Sequence, residues 1–363
     1  MSSFWTNKIS ISIFGEAQGP AIGVTIDDLP PGEHIDTEAL ARFMARRSIT
    51  DPLQPKRCSV PMPHIMSGIY NERTTGAPLC AFINNTPVKA PQHTKQDDLV
   101  RPGHADYTGA VRYRGFNDVR ESGHFSDKLT IPLCFAGAIC AQILERRGIY
   151  TGAHIASIHN VKDNPFDPVN ITRDAVISIR GKKFPVINDR KGWLMLEDIK
   201  RAAEGGESLG GVIECASINV PAGIGSPIFN GLENSIAQLI FGIPGVKGLE
   251  FGSGFLSAKM VGSQNNDDFY VNDHGHVVTR TNNHGGILGG ISSGMPITLK
   301  AAVMPSPIIG KDQETVNYRE MTSETLDGGE ANVLCAVVGA VPCVEAAVNI
   351  ALLSHMLDYP NFC

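Results

Sequence analysis

Apolar residues recur at spacings of three and four from Glu38 to Arg47 and again from Leu232 to Phe241. That spacing lays them along one face of a helix, so both segments predict amphipathic helices, the first capped by Asp36 or Thr37. The stretch from Ile131 to Arg147 is largely apolar and ends in charged residues before Gly148, a good helix stop. Leu196 to Glu204 predicts a short amphipathic helix, and Val344 to Leu357, apolar on most faces, a buried one. Period-two alternation over Ile22 to Ile26 and Val212 to Val220 predicts strands. Val88 to Leu99 and Lys311 to Asn332 are polar and read as loops.

These elements fall into a weak internal repeat. Gly15-Glu16-Ala17-Gln18-Gly19 precedes the first strand, Pro30-Pro31-Gly32 follows it, and a helix comes next. Gly206-Glu207-Ser208-Leu209-Gly210, the second strand, Pro221-Ala222-Gly223 and the second helix repeat that order. The expected fold is α+β, with helices covering sheets in layers. It is read as a single domain over residues 1–363, built from two related halves at roughly 1–150 and 200–363.

Composition narrows the classes. The formal net charge is −6 and no Lys/Arg block stands out, which argues against a nucleic-acid or acidic-membrane partner. No N-terminal basic segment precedes an apolar core, and no apolar run reaches about 18 residues, so neither a signal peptide nor a membrane span is expected. The eight cysteines are scattered without CxxC spacing, which reads as buried free thiols in a reducing cytoplasm. The 38 glycines cluster beside β-branched residues, as in Gly285-Gly286-Ile287-Leu288-Gly289-Gly290, and mark tight turns or close backbone approach rather than linkers.

Several segments, in order and over nearly the whole chain, together resemble the chorismate synthase family. They are Phe14-Gly15-Glu16-Ala17-Gln18-Gly19, Arg46-Arg47, Thr74-Thr75-Gly76-Ala77-Pro78 and Arg101-Pro102-Gly103-His104-Ala105-Asp106-Tyr107. Val220-Pro221-Ala222-Gly223-Ile224-Gly225, Gly262-Ser263-Gln264-Asn265-Asn266-Asp267, Asn282-Asn283-His284-Gly285-Gly286 and Ala340-Val341-Pro342 follow. The resemblance implies a layered βαβ core, a homotetramer and a cytoplasmic enzyme of aromatic biosynthesis. Such an enzyme converts 5-enolpyruvylshikimate 3-phosphate to chorismate by 1,4-elimination of phosphate, with reduced FMN and no net redox change. That chemistry asks for cations and a proton donor around a leaving phosphate, and for a grip on the flavin phosphate.

The resemblance assigns roles by position. His104 matches one family catalytic histidine; Gln18 stands where the family has the other, and an amide cannot supply a proton near neutral pH. Arg46, Arg47, Arg57 and Lys128 are expected to hold an anionic ring substrate, with Ser48 replacing a further arginine. His124, Phe125, Ser126, Pro244, Gly245, Gly289 and Ser306 match flavin-contacting positions. Met304 and Ile308 replace groups that grip the FMN phosphate, and Ala331, Asn332, Val333 and Leu334 replace a charged family motif ahead of Cys335; Gly339 replaces an arginine. FMN binding is therefore expected to be weak or absent. Three readings stay open: a chorismate synthase with substituted loops, a diverged enzyme acting on another ring ligand without FMN, and a non-catalytic binding or regulatory protein.

Overall fold

The computed structural model describes residues 3–47, 61–85, 98–329 and 333–359. The chain opens with β1 (Phe4–Thr6), β2 (Ser10–Gly15), β3 (Ala21–Asp27) and helix α1 (Thr37–Ala45). Next come β4 (His64–Ser67), the small hairpin of β5 (Ile69–Tyr70) and β6 (Arg73–Thr74), and β7 (Leu79–Asn84). Helices α2 (Asp106–Tyr113) and α3 (Thr130–Glu145) lead into β8 (Tyr150–Ile158) and β9 (Val161–Lys162). After α4 (Arg173–Arg180) and α5 (Asp189–Glu204) come β10 (Gly211–Ile218), α6 (Leu232–Phe241), β11 (Val246–Phe251) and the short α7 (Gly262–Asn265). Two small hairpins, β12 (Phe269–Val271) with β13 (Val277–Thr279) and β14 (Ile287–Leu288) with β15 (Ile291–Ser292), precede β16 (Ile297–Val303). The hairpin of β17 (Gln313–Asn317) and β18 (Thr322–Leu326) and the long α8 (Val337–Met356) close the described fold.

Two five-stranded antiparallel sheets result, ordered β1-β2-β3-β7-β4 and β9-β8-β10-β16-β11. Each has the same internal plan. A strand at the sheet centre (β3 or β10) leads into a helix (α1 or α6) that crosses to the far edge strand (β4 or β11). The next strand (β7 or β16) slots between them, and an apolar helix (α3 or α8) follows. This split βαβ unit, made twice, is the internal pseudo-repeat. The glycines that open and close the repeated strands, Gly15, Gly32, Gly206 and Gly223, all sit at positive φ, where a side chain would be strained.

The apolar helices α3 and α8 lie between the sheets, while α4 packs on the outer face of the second sheet against Gly152. Helix α3 packs on β2 and β3 of one sheet and on β8 of the other, and α8 covers β8, β10 and β16. Helices α3 and α8 also pack on each other. Cys134 meets Cys343 at 3.7 Å between Sγ atoms, and Gly137 meets Ala346 one turn further along both, so the two helices run parallel. A Cβ on Gly137 would fall 2.2 Å from that of Ala346, so only glycine permits this approach. The amphipathic helices behave as their periodicity predicts: α1 buries Leu40 and Met44 and is capped by the Asp36 carboxylate, which accepts from the Glu38 and Ala39 amides. Helix α6 buries Leu232, Ile236, Leu239 and Ile240.

Three expectations need correction. Lys311–Asn332 is not all loop but holds the β17–β18 hairpin, whose alternation of polar with polar residues leaves no apolar signal. Helix α5 begins seven residues before Leu196, because Asn188 caps it by accepting from the Arg190 and Lys191 amides. Helix α8 begins at Val337 rather than Val344; Pro342, which suggests a boundary, lies inside its second turn. By mean hydropathy that helix and the stretch Arg120–Glu145 are long and apolar enough to cross a membrane, though neither is an unbroken apolar run. All twenty residues of α8 are buried inside the protein, as befits a core helix. The Val88–Leu99 loop lies outside the described residues except for Asp98 and Leu99.

Candidate functional site

His104 sits just before α2. Its Nδ1 donates to the Asp106 carboxylate at 2.6 Å, and Arg101 clamps the same carboxylate through Nε and Nη2, both at 2.7 Å. Because a carboxylate only accepts, the proton on the ring lies at Nδ1, which leaves Nε2 for chemistry. Burial by itself would raise the Asp106 pKa, yet hydrogen bonds and charge from Arg101 and His104 hold it well below the ordinary carboxylate range. Arg101 also donates to the Ser122 hydroxyl at 3.2 Å, tying the histidine to the next loop.

That loop, residues 120–129, is where the candidate groups meet. Glu121, Ser122 and Gly123 adopt positive φ in succession. A Cβ on Gly123 would strike the Asp118 carbonyl oxygen at 2.0 Å, so the turn depends on glycine. The Gln18 turn is fastened to it: the Ala17 amide donates to the Gly123 carbonyl at 3.0 Å, and Lys128 Nζ reaches the Ala17 carbonyl at 3.4 Å. His124 Nδ1 donates to the Gly15 carbonyl at 2.7 Å, and its Nε2 takes a short contact from the Ser3 hydroxyl. His124, Ser126 and Pro244 line one cavity of about 370 Å³, with Thr130, Trp5 and Gln238. Phe125 turns away from it and packs on Gly109 and edge-on to Tyr113 of α2.

The basic side chains around this region already have partners. Arg46 makes a bidentate pair with Glu345 of α8 at 2.5 and 2.7 Å, and Glu345 is fully buried. Arg47, 5% exposed, donates to the Thr130 hydroxyl at 2.6 Å and the Asp127 carbonyl at 3.0 Å, and pairs with the Asp127 carboxylate at 3.3 Å. Burial disfavours both guanidinium charges, but the Glu345 carboxylate beside Arg46 and the Cys343 and Asp127 groups beside Arg47 more than offset it and raise both pKa values. Lys128 pairs with Glu121, Arg101 with Asp106, and Arg120 with Asp118 at 2.6 Å. Arg57 lies outside the described residues.

The remaining positions offer little to an anionic cofactor. The buried Ser306 hydroxyl accepts from the Ile308 amide at 3.3 Å, and its carbonyl accepts from the Ser208 hydroxyl at 2.7 Å. Met304 and Ile308 present no charge. Gly245 is held against β16 through its carbonyl, which accepts from the Met304 amide at 2.8 Å. Gly289 and Gly290 form the two-residue turn of the β14–β15 hairpin, both at positive φ, with Gly289 exposed at the tip and outside the His124 cavity. Ala331 and Asn332 are outside the described residues; Val333 and Leu334 are uncharged, and the Leu334 carbonyl accepts from the Leu209 amide at 2.9 Å. Among the described residues, Met304, Ile308, Val333 and Leu334 offer no charge to a flavin phosphate.

The sequence marks Arg46, Arg47 and Lys128 as binding residues and holds Arg101 and Asp106 within one motif, but singles out neither Arg120 nor Asp118. Nor does it single out the partners Asp127 and Glu121. Glu345 had one signal, a lone carboxylate in an apolar run, which in a buried helix demands a cation.

Comparison with known proteins completes the picture. The sequence model of the family described as chorismate synthase matches residues 9–357. The chorismate synthase of Lancefieldella parvula is 38% identical over 372 residues, covering 99% of this chain and 98% of the relative. That of Thermococcus kodakarensis is 38% identical over 349 residues, 96% of each. A crystal structure of chorismate synthase superposes with a TM-score of 0.76 at 23% identity, covering 98% of this chain and 94% of that one, a likeness of fold.

Proposed function

Because the chain belongs to the chorismate synthase family, we propose that it is a carbon–oxygen lyase of that family's reaction class, acting on 5-enolpyruvylshikimate 3-phosphate far more slowly than an ordinary enzyme. The observation that carries the reading is the pairing of Arg46, Arg47, Arg101, Arg120 and Lys128 with carboxylates of the same chain. A phosphate dianion must displace those carboxylates or be bound without full compensation, and either costs several kcal/mol in a desolvated site.

The chain's own residues support part of the elimination. Asp106 orients the His104 ring, so that its Nε2 can exchange a proton with a substrate oxygen. Lys128 and Ser126 remain in the loop as a cation and a hydroxyl. Gln18 can hydrogen-bond but supplies no proton, and general acid catalysis is worth about a hundred- to ten-thousand-fold in rate. The family is FMN-dependent, and reduced FMN supplies electron density to the elimination when bound. Here Met304, Ile308 and the internally bonded Ser306 do not form its phosphate grip. Each lost charged hydrogen bond is worth roughly 1.5–3 kcal/mol, so losing two or three weakens FMN affinity by several powers of ten.

A second reading, binding of a less charged ring ligand without turnover, is favoured by the same ion pairs together with the cavity at His124 and Ser126. Phosphate release measured anaerobically with reduced FMN separates the two: slow catalytic release supports the lyase, and saturable binding without release supports the second. The free thiols, five of the six described being buried, suit a reducing cytoplasm. Exposed Phe229, Phe255, Phe269 and Val271 suit a homotetramer, which would cover them. With a net charge of −6, neither nucleic acid nor an acidic membrane is a partner.

A further inference from the structure

The second sheet carries a row of charges. Glu250 of β11 pairs in register with Lys300 of β16, Lys300 with Glu214 of β10, and Glu214 with His154 of β8. Residues paired directly across antiparallel strands point to the same face. The row therefore crosses four strands with alternating sign, at the strand spacing of about 4.8 Å. The adjacent residues Leu299, Cys215 and Ala153 point the other way, into the core, so the row lies on the face away from α8. Asp163 completes it, bonded to His154 Nδ1 at 3.2 Å.

A cavity of about 550 Å³ stands on this row, separate from the His124 cavity and sharing no residue with it. Glu214, Glu250 and Lys300 form the floor; Phe166, Val169 and Leu256 form an apolar wall; Arg280 stands at the side. Its charged groups are only partly satisfied. One Glu214 oxygen accepts from the Phe166 amide at 2.9 Å and pairs with His154 at 2.8 Å. The other oxygen has no hydrogen-bond partner among the described residues. Lys300 Nζ approaches Glu250 only to 3.9 Å, beyond hydrogen-bond range. Arg280 makes no ion pair among the described residues and stacks on Tyr270, its guanidinium carbon 4.9 Å from the ring centre.

A simple anion would sit against Glu214 and Glu250, and a simple cation against Lys300 and Arg280. A ligand carrying both signs side by side, with an apolar group, meets every lining group with its complement. We propose that this cavity binds a free α-amino acid with an apolar side chain. Its carboxylate lies toward Lys300 and Arg280, its ammonium toward the open Glu214 oxygen and Glu250, and its side chain against Phe166 and Leu256.

Isothermal titration of the intact protein tests this without any turnover. The probes are L-leucine and L-phenylalanine, their methyl esters, and the corresponding acids lacking the amino group. We expect saturable binding of at least one amino acid, weakened roughly ten-fold or more in its ester and in its desamino acid. Arg280→Gln and Lys300→Met should each weaken it to a similar degree. Arg280 is exposed, so its replacement does not threaten folding and keeps the test decisive where Lys300→Met is unstable. No saturation by either amino acid at about 10 mM, equal affinity for the ester or the desamino acid, or indifference to Arg280→Gln would overturn the proposal.

Discussion

Arg46 shows how a residue can be legible while its role is not. The sequence marks it as a basic group at a substrate position, but Glu345 lies far along the chain as the lone carboxylate of a helix that reads as apolar on most faces. Their bidentate pair is buried, and Glu345 also accepts from the Ala153 amide at 2.8 Å. Removing Arg46 leaves the buried Glu345 carboxylate with only Arg180 as a cation among the described residues, its Nε 4.0 Å away and not hydrogen-bonded, so Arg46→Ala should cost about 3–5 kcal/mol in urea unfolding. A joint change of both residues to leucine should restore most of that loss. An Arg46→Ala loss below about 1 kcal/mol would mean the pair is solvated. His154 gives a prediction in pH. Burial disfavours its charge, but Asp163 and Glu214 outweigh burial and raise its pKa above the ordinary value of about 6.5. A raised folded-state pKa adds stability that is fully present below about pH 6.5 and is lost as pH rises through the folded value. His154→Gln should therefore remove a decline in stability on the alkaline side of pH 6.5, read as unfolding midpoint against pH. An identical profile in the variant would show that His154 is neutral.

At the scale of elements, amphipathic helices and alternating strands were legible because one face of each is polar. Helices α1 and α6, and the strands before them, lie where the periodicity puts them. What escaped were elements whose pattern has no contrast: the polar β17–β18 hairpin and the N-terminal turns of the wholly buried α8. The repeat was visible from its glycine and proline turns, yet sheet order was not, since strand pairing joins residues too distant for local pattern to register. The centre of the fold also rests on one residue. Gly137→Ala gains up to about 1 kcal/mol of helix propensity but places a Cβ 2.2 Å from that of Ala346. The two central helices must separate, at about 1–3 kcal/mol for overpacking. We expect a lower unfolding midpoint; a higher one would mean that α3 and α8 do not pack as closely as described.

For the whole molecule, the frame of a family enzyme is kept while its cationic lining is tied up by internal carboxylates. Two bulk properties follow from this account. Light scattering at micromolar concentration should give a tetramer, since exposed Phe229, Phe255 and Phe269 call for cover; a monomer would contradict it. Gel filtration should strip added FMN, because Met304 and Ile308 offer its phosphate nothing; stoichiometric retention would contradict that. The candidate site was legible as a set of loops, with His104 and Gln18 named from sequence. The Arg46–Glu345 and Arg47–Asp127 pairs were not, because they join segments that only the fold brings together. The local pairs Arg101–Asp106, Arg120–Asp118 and Lys128–Glu121 lie within reach of sequence but carry no pattern that marks them as paired. Restoring Gln18→His alone should leave the protein slow, since those pairs and the uncharged Val333–Leu334 segment remain. The most direct measurement is single-enzyme turnover of 5-enolpyruvylshikimate 3-phosphate under anaerobic conditions with excess reduced FMN. We predict chorismate formation orders of magnitude below about one per second, the low end of ordinary enzyme rates; turnover near that value would contradict the account and show that the paired cations open to receive the substrate.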